Sequence, residues 1–244
     1  MGTVIMSKVK YFFTFLASKV GFFSICRKIL IKDGNLVIMF HGITSKKSSE
    51  IPIDLQPHLD ILEFESIIRW IGKRFSFISP EDLFKTKRKG VLLTFDDGFE
   101  NNFNNVLPIL SKFKIPALFF VTTQHIINPD KWLHFIDKRI ESYGLDKNMM
   151  SDFQKSENFN GISEKNLRMM SKNKLVTIGS HSITHPFLSN CSNIKLKKEI
   201  FDSKKYLEKI CNKKVDYFAY PSGDYNEKVV KELIASGLKL ASYR

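Results

Sequence analysis

Two short segments carry the residues best suited to chemistry. Thr94-Phe95-Asp96-Asp97-Gly98 ends an apolar run, Val91-Leu92-Leu93, with two adjacent carboxylates. Ser180-His181-Ser182-Ile183-Thr184-His185 ends another, Leu175-Val176-Thr177-Ile178, with two imidazoles four residues apart. One carboxylate and two imidazoles form the donor set of an open, hydrolytic zinc-type site, in which water takes a remaining position. The second carboxylate is then left to accept a proton from that water. Each segment alone also has a plainer reading. Asp-Asp-Gly is a common turn signal that caps a following helix, and two buried imidazoles can simply be hydrogen-bonded. Their joint occurrence, each at the end of an apolar run, favours a metal-dependent hydrolase.

Two further positions belong with these segments. His41 follows the apolar run Leu36-Val37-Ile38-Met39-Phe40 and precedes Gly42. Taken alone it reads as a core histidine; in a site that must protonate a leaving amine it is the best-placed acid. Phe218-Ala219-Tyr220-Pro221-Ser222-Gly223 ends in a Pro-x-Gly turn, which either closes a strand or aims a backbone N–H at a developing oxyanion. His58, His125 and His134 have no supporting pattern and read as surface or packing residues.

The elements that would position these groups alternate. Strand-like runs fall at 36–40, 91–95, 117–122, 175–180, 215–220 and 238–242. Helical patterns fall between them at 59–75, 102–113, 163–172, 195–210 and 226–235. In the first helix Leu62, Ile67, Ile68 and Ile71 form the expected inner face. Continuous apolar strands separated by helices indicate a parallel α/β sheet, open or closed into a barrel, with chemistry at the strands' C-terminal ends. Residues 123–160 read as an irregular insertion over those ends, with a short helix around Trp132–Tyr143.

At 244 residues and 43% hydrophobic content, the chain is long enough and apolar enough to build a full core. The formal charge of +13 comes from scattered basic residues in a chain also rich in Asn, Ile and Phe. That distribution, without any nucleic-acid-binding motif, argues against a nucleic-acid partner. Cys26, Cys191 and Cys211 lack metal or redox spacing and cannot all pair within the chain. Residues 1–32 contain no acidic side chain. Val9, Phe12, Phe13, Leu16, Val20 and Phe23 recur there at helical spacing, interrupted by Lys19. No uninterrupted apolar run reaches the roughly 20 residues needed to cross a bilayer. The expectation is a basic amphipathic helix in residues 1–34, lying on an anionic membrane surface or packed on the barrel, followed by a catalytic domain in 35–244. The protein would then be cytoplasmic and peripheral to the membrane. A cleaved signal, and with it an exported form, is the competing reading.

Taken together, the motifs resemble those of the polysaccharide deacetylases of the NodB-homology type, carbohydrate esterase family four. Thr94–Gly98 matches the family's first motif and His181–His185 its H-[ST]-x-x-H motif. Asn105-Val106-Leu107-Pro108-Ile109-Leu110 and Ile115–Val121 resemble the stretch that follows the first motif. The resemblance implies a deformed (β/α) barrel of parallel strands with outer helices. It implies that Asp97, His181 and His185 hold the metal, with Zn2+ expected and Co2+ or Ni2+ compatible, and that Asp96 is the general base. Ala219 stands where many members carry an Arg, and the family's late L-x-L-x-H segment is missing. Both departures are similar to the poly-N-acetylglucosamine deacetylase branch, where the third motif reads F-A-Y-P-x-G and an early histidine, here His41, supplies the acid.

The expected activity is removal of N-acetyl groups from amino sugars of a bacterial surface polysaccharide or its precursor, with a backbone N–H near Ser222 holding the oxyanion. The alternatives are a sugar O-acetyl esterase, a deformylase acting on a lipid-linked sugar, and an inactive carbohydrate-binding or membrane-associated protein.

Overall fold

The computed structural model describes residues 35–46, 58–83, 90–129, 132–146, 148 and 150–240. The expected N-terminal helix and the two expectations that rest on it, membrane contact and a cleaved signal, lie outside those residues, as does Cys26.

Seven parallel strands form one sheet in the order β1 (Leu36–Phe40), β5 (Gly90–Phe95), β6 (Ala117–Val121), β7 (Val176–Ser180), β8 (Tyr217–Phe218), β9 (Lys239–Leu240). The seventh, β4 (Ser76–Phe77), pairs with the first two residues of β5. A separate parallel pair joins β2 (Ile43–Thr44) to β3 (Leu59–Asp60). Every residue of β5 and β6 is buried, as expected for strands covered on both faces. The sheet is the curled, incompletely closed (β/α) barrel expected from the motifs.

Much of the chain's aromatic content is structural. Seven of the largest fully buried side chains are Phe. Phe95 stacks on Phe119 at 4.7 Å, and Phe64 meets Phe40 and Phe95 edge-on at 5.2 and 5.8 Å. These contacts tie β1, β5 and β6 to helix α1 (Ile61–Gly72) through offset and edge-to-face geometry.

Three sequence expectations are corrected. Leu62 is 79% exposed. A reciprocal capping box between Asp60 and Glu63 starts α1 at Ile61. Its buried stripe is therefore Phe64, Ile68 and Ile71, at i, i+4 and i+7. The strand expected over 215–220 shrinks to Tyr217–Phe218. The Val215 N–H goes to the Glu208 carboxylate, and the Ala219 carbonyl is taken by the His181 ring. The insertion is more helical than expected. The short helix expected around Trp132–Tyr143 is α4 (His134–Ser142), and α3 (Thr123–Ile127) and α5 (Asp152–Asn158) form beside it, after α2 (Leu107–Phe113). Trp132, Leu133, Ile136, Ile140, Met150 and Phe159 pack there with Phe99 as a second small core. Gly98 accepts the Ile162 N–H at 2.8 Å and Asn160 accepts that of Glu100 at 2.9 Å, so the insertion is sewn to the chain just beyond β5.

Candidate active site

The site forms where β1, β5, β7 and β8 end. Asp97 is the pivot. It follows β5 with φ 72°, a left-handed conformation that is uncommon for a residue other than glycine. Its Oδ1 lies 3.5 Å from His181 Nε2 and 3.5 Å from His185 Nε2. The three donor atoms all fall within 4.8 Å of one another, and all three residues are buried. Ser182 and His185 also have positive φ, 66° and 56°. The loop after β7 therefore turns back on itself and brings both imidazoles to one point. Four of the six non-glycine residues with positive φ among the described residues are Asp97, Ser182, His185 and Ser222. Backbone strain of this kind concentrates where surrounding structure holds a functional geometry.

Protons are placed so that lone pairs converge. His181 Nδ1–H donates to the Ala219 carbonyl at 3.0 Å, which leaves Nε2 unprotonated and facing Asp97. Burial, and after it the neighbouring His185, push the His181 imidazole down to about 3. Burial likewise lowers His185. Burial alone would raise Asp97, but His185, His41, His181 and His125 outweigh it and hold the carboxyl below its usual range. Asp97 Oδ1 has no hydrogen-bond partner. A carboxylate oxygen and the Nε2 atoms of two imidazoles held below their usual pKa thus face one another, 3.5 Å from oxygen to each nitrogen. That arrangement is unfavourable by itself and fits a divalent cation.

The other site residues predicted from sequence surround this point. Asp96 is buried with Oδ1 unpartnered. Burial and the adjacent Asp97 charge raise its carboxyl well above the ordinary range. With Ala219 at the third motif, no cation among the described residues offsets this. Asp96, His41 and Ser222 line one cleft of about 450 Å3 with Asp97, His181 and His185. Phe135, Phe187 and Tyr220 add aromatic walls to it. Ser222 sits at φ 55° in the turn after β8. The Gly223 and Asp224 N–H groups are spent on Tyr220 and Pro221 carbonyls, leaving the Ser222 N–H without an acceptor in the turn.

Sequence reasoning missed the groups that hold His41 in place. The Gly42 N–H donates to His58 Nδ1 at 3.0 Å, and His58 Nε2 bonds the Asn158 carbonyl at 2.8 Å. The Ile43 N–H donates to Asn101 Oδ1 at 3.2 Å, and Asn105 Nδ2 donates to the Ile43 carbonyl at 2.7 Å. A Cβ on Gly42 would fall 2.6 Å from Asn101 and 2.8 Å from His58, so only glycine fits. Asn101 immediately precedes a π-helical turn, Asn102–Val106, and Asn105 lies within it. Their i, i+4 spacing was the available signal. His58 and His125 are the buried packing residues expected, while His134 lines the cleft.

The sequence model of the polysaccharide deacetylase family matches residues 84–241. The chain is 29% identical over 194 residues to the poly-beta-1,6-N-acetyl-D-glucosamine N-deacetylase of Staphylococcus aureus strain MSSA476, covering 72% of this chain and 58% of that protein. It is 25% identical over 213 residues to YxkH of Bacillus subtilis, which bears a polysaccharide deacetylase name, covering 84% and 62%. The chain thus spans about three fifths of the length of these relatives. Among solved structures, IcaB from Ammonifex degensii superposes with a TM-score of 0.66 at 22% identity, covering 87% of this chain and 84% of that one. The deacetylase PplD of Streptococcus pyogenes, in complex with acetate, gives 0.63 at 23% identity, covering 84% and 80%. These structures share the fold. With the family model spanning well over half of the sequence and both of its histidine and aspartate motifs meeting in one cleft, the chain belongs to the polysaccharide deacetylase family.

Proposed function

We propose that this chain is a metal-dependent hydrolase that removes N-acetyl groups from amino sugars of a bacterial surface polysaccharide or its precursor. The observation carrying this reading is the convergence of Asp97, His181 and His185 lone pairs at the floor of an aromatic-walled cleft. The name of the staphylococcal relative adds support for a β-1,6-linked N-acetylglucosamine chain as the substrate class.

Asp97, His181 and His185 would hold the ion, with Zn2+ preferred by a two-imidazole, one-carboxylate set and Co2+ or Ni2+ accepted. Such an ion, when bound, supplies Lewis acidity and lowers the pKa of water. The chain's own groups do the rest. Asp96 takes the proton of the attacking water. The Ser222 N–H donates to the oxyanion as the acetyl carbonyl becomes tetrahedral. His41 gives a proton to the amide nitrogen as its bond to the acetyl carbon breaks, so acetate and a free amino sugar leave. Phe135, Phe187 and Tyr220 offer flat apolar faces to the sugar ring.

The test is metal analysis of purified protein, followed by acetate release from β-1,6-linked N-acetylglucosamine oligomers. One equivalent of metal is expected, with activity lost to a chelator and restored by Zn2+ or Co2+. Asp97→Ala, His181→Ala and His185→Ala should each remove the metal and leave the fold intact. Full occupancy in both histidine variants would refute the assignment.

The proposal extends to residues 1–34 as an amphipathic anchor on an anionic leaflet, on the grounds of their acid-free composition and apolar face. Deleting residues up to 28 should abolish flotation with anionic liposomes and leave acetate release unchanged. Equal flotation of both forms would count against it.

A further inference from the structure

The two histidines that would hold the metal depend on a loop with an improbable backbone. Leaving β7, the chain takes a left-handed residue at Ser182 and another at His185, neither of them glycine. Such conformations persist only where neighbouring groups over-determine them. One side chain stands out among those neighbours. Glu199 Oε2 accepts the Ile183 N–H at 2.9 Å and the Thr184 N–H at 3.0 Å, and its Oε1 accepts the Thr184 hydroxyl at 2.6 Å. These are the backbone groups at the apex of the loop, between the two imidazoles.

Glu199 is only 3% exposed, and no Lys, Arg or His pairs with it among the described residues. A buried carboxylate without a cation is costly unless hydrogen bonds compensate. Here the compensation comes from the ligand loop. The helix carrying Glu199 is shaped for the contact. Between the helices Asn193–Lys197 and Ser203–Cys211 the backbone widens into a π-helical turn, Lys198–Asp202. Such turns add one residue to a helix and re-aim side chains, often at functional sites. Ser203 closes the network. Its hydroxyl bonds the Glu199 and Ile200 carbonyls at 2.7 and 2.9 Å and meets Ser180 Oγ at 2.7 Å. Ser180 Oγ accepts the Ser182 N–H at 3.3 Å, and Ser182 Oγ accepts that of His185 at 3.0 Å.

We propose that Glu199 is a positioning residue for the metal site, which fixes the spacing of His181 and His185 by binding the loop apex between them. The proposal rests on the metal reading above. It makes the metal affinity of this chain depend on a carboxylate that touches neither metal nor substrate. Removing partners that orient metal ligands usually weakens affinity about ten- to a hundredfold.

The experiment is titration of the full chain with Zn2+ and Co2+ against a chromophoric chelator, with the visible absorption of bound Co2+ as a second readout. Glu199→Ala should weaken both metals by about ten- to a hundredfold and alter the Co2+ bands. Glu199→Gln should stay close to wild type. Its amide oxygen accepts both N–H groups, and its amide nitrogen donates to the Thr184 hydroxyl. Thr184→Val removes the hydroxyl bond alone with little change of shape, and should give a smaller loss even where Glu199→Ala does not fold. Unchanged affinity and spectrum in Glu199→Ala and Thr184→Val would overturn the proposal, as would a loss in Glu199→Gln equal to that in Glu199→Ala. Wild-type protein that takes up neither metal would remove the site itself and this role with it. Wild-type uptake alongside unaffected variants would remove the role of Glu199 alone.

Discussion

Asp96 and Asp97 are adjacent, yet their environments drive them apart. Asp97 sits among four imidazoles and is held ionised, while Asp96 has only burial and a like charge beside it, so its carboxyl is raised. Divergence within a carboxylate pair separates a ligand from a proton acceptor. Asp96→Asn should therefore keep the metal and lower turnover by roughly a hundred- to ten-thousandfold, since an amide cannot accept the proton. Metal analysis beside acetate release checks this. Near-normal turnover with metal bound would require the two roles to be exchanged. His41 is tested by leaving group. An amine departs poorly without a proton, whereas an activated phenolate needs none. His41→Ala should reduce N-deacetylation far more than hydrolysis of an aryl acetate. Equal losses on both substrates would assign His41 to positioning.

The strand ends act as elements because the turns after them have little freedom. Gly98 follows Asp97 with φ 76°, and its N–H bonds the Asp96 carbonyl at 3.0 Å. A Cβ there would lie 2.6 Å from Val121 Cγ1 and 3.2 Å from the Val121 Cα. Gly98→Ala combines left-handed strain with overpacking against β6 and should cost about 2–4 kcal/mol. Gly223 is the control, with φ 67° and nothing within 4 Å of its would-be Cβ, so Gly223→Ala bears the strain alone, about 1–2 kcal/mol. Urea unfolding of the two variants makes the comparison. Equal destabilisation would mean that the Val121 contact yields freely. The two π-helical turns divide the work of bracing. Asn102–Val106, with the residue before it, carries the asparagines that hold the loop after His41, and Lys198–Asp202 carries the glutamate that holds the loop of His181 and His185.

For the molecule as a whole, the buried imidazoles make stability depend on pH. Burial lowers both His58 and His125 to about 4 from 6.5. His58 cannot take a second ring proton without giving up the Gly42 N–H that its Nδ1 accepts. Below about 6.5 the unfolded chain binds protons at these positions that the folded chain refuses until about 4. Unfolding free energy therefore falls as pH drops through that window, by an amount on the order of 3 kcal/mol per residue once pH is below 4. Asp96 acts in the opposite sense, because acidification relieves a carboxyl whose pKa is raised. The slope is thus best read in chelator-treated Asp96→Asn protein. A urea midpoint that falls steadily between pH 7 and pH 4.5, less steeply in His58→Asn, is the expected result. A midpoint independent of pH would show that these imidazoles are not held neutral.

Much of the site was legible in the sequence because motif, strand and turn coincide there. The apolar runs ending in Asp96-Asp97-Gly98, His41 and His181 specify parallel strands, and the C-terminal ends of parallel strands bring their loops to one side of a sheet. From that alone the candidate ligands, Asp96 and His41 could be placed in one cleft. The sequence also determined the family, through short motifs whose order along the chain is informative. Other features depended on contacts between distant segments. Leu62 is exposed because a capping box outranked hydrophobic periodicity. The strand after Val215 is short because His181 takes the Ala219 carbonyl. Glu199 is one acid in a lysine-rich helix, and only its spacing from the buried Leu196 and Ser203 sets it on the inner face. Its partners lie 15 and 16 residues away along the chain. The contacts that brace His41 span from 16 residues, for Gly42 and His58, to 100, for His58 and Asn158. Local sequence sets which groups are available and which strand end carries them. Only the tertiary structure decides which buried donors and acceptors meet, because each must find a partner once water is gone.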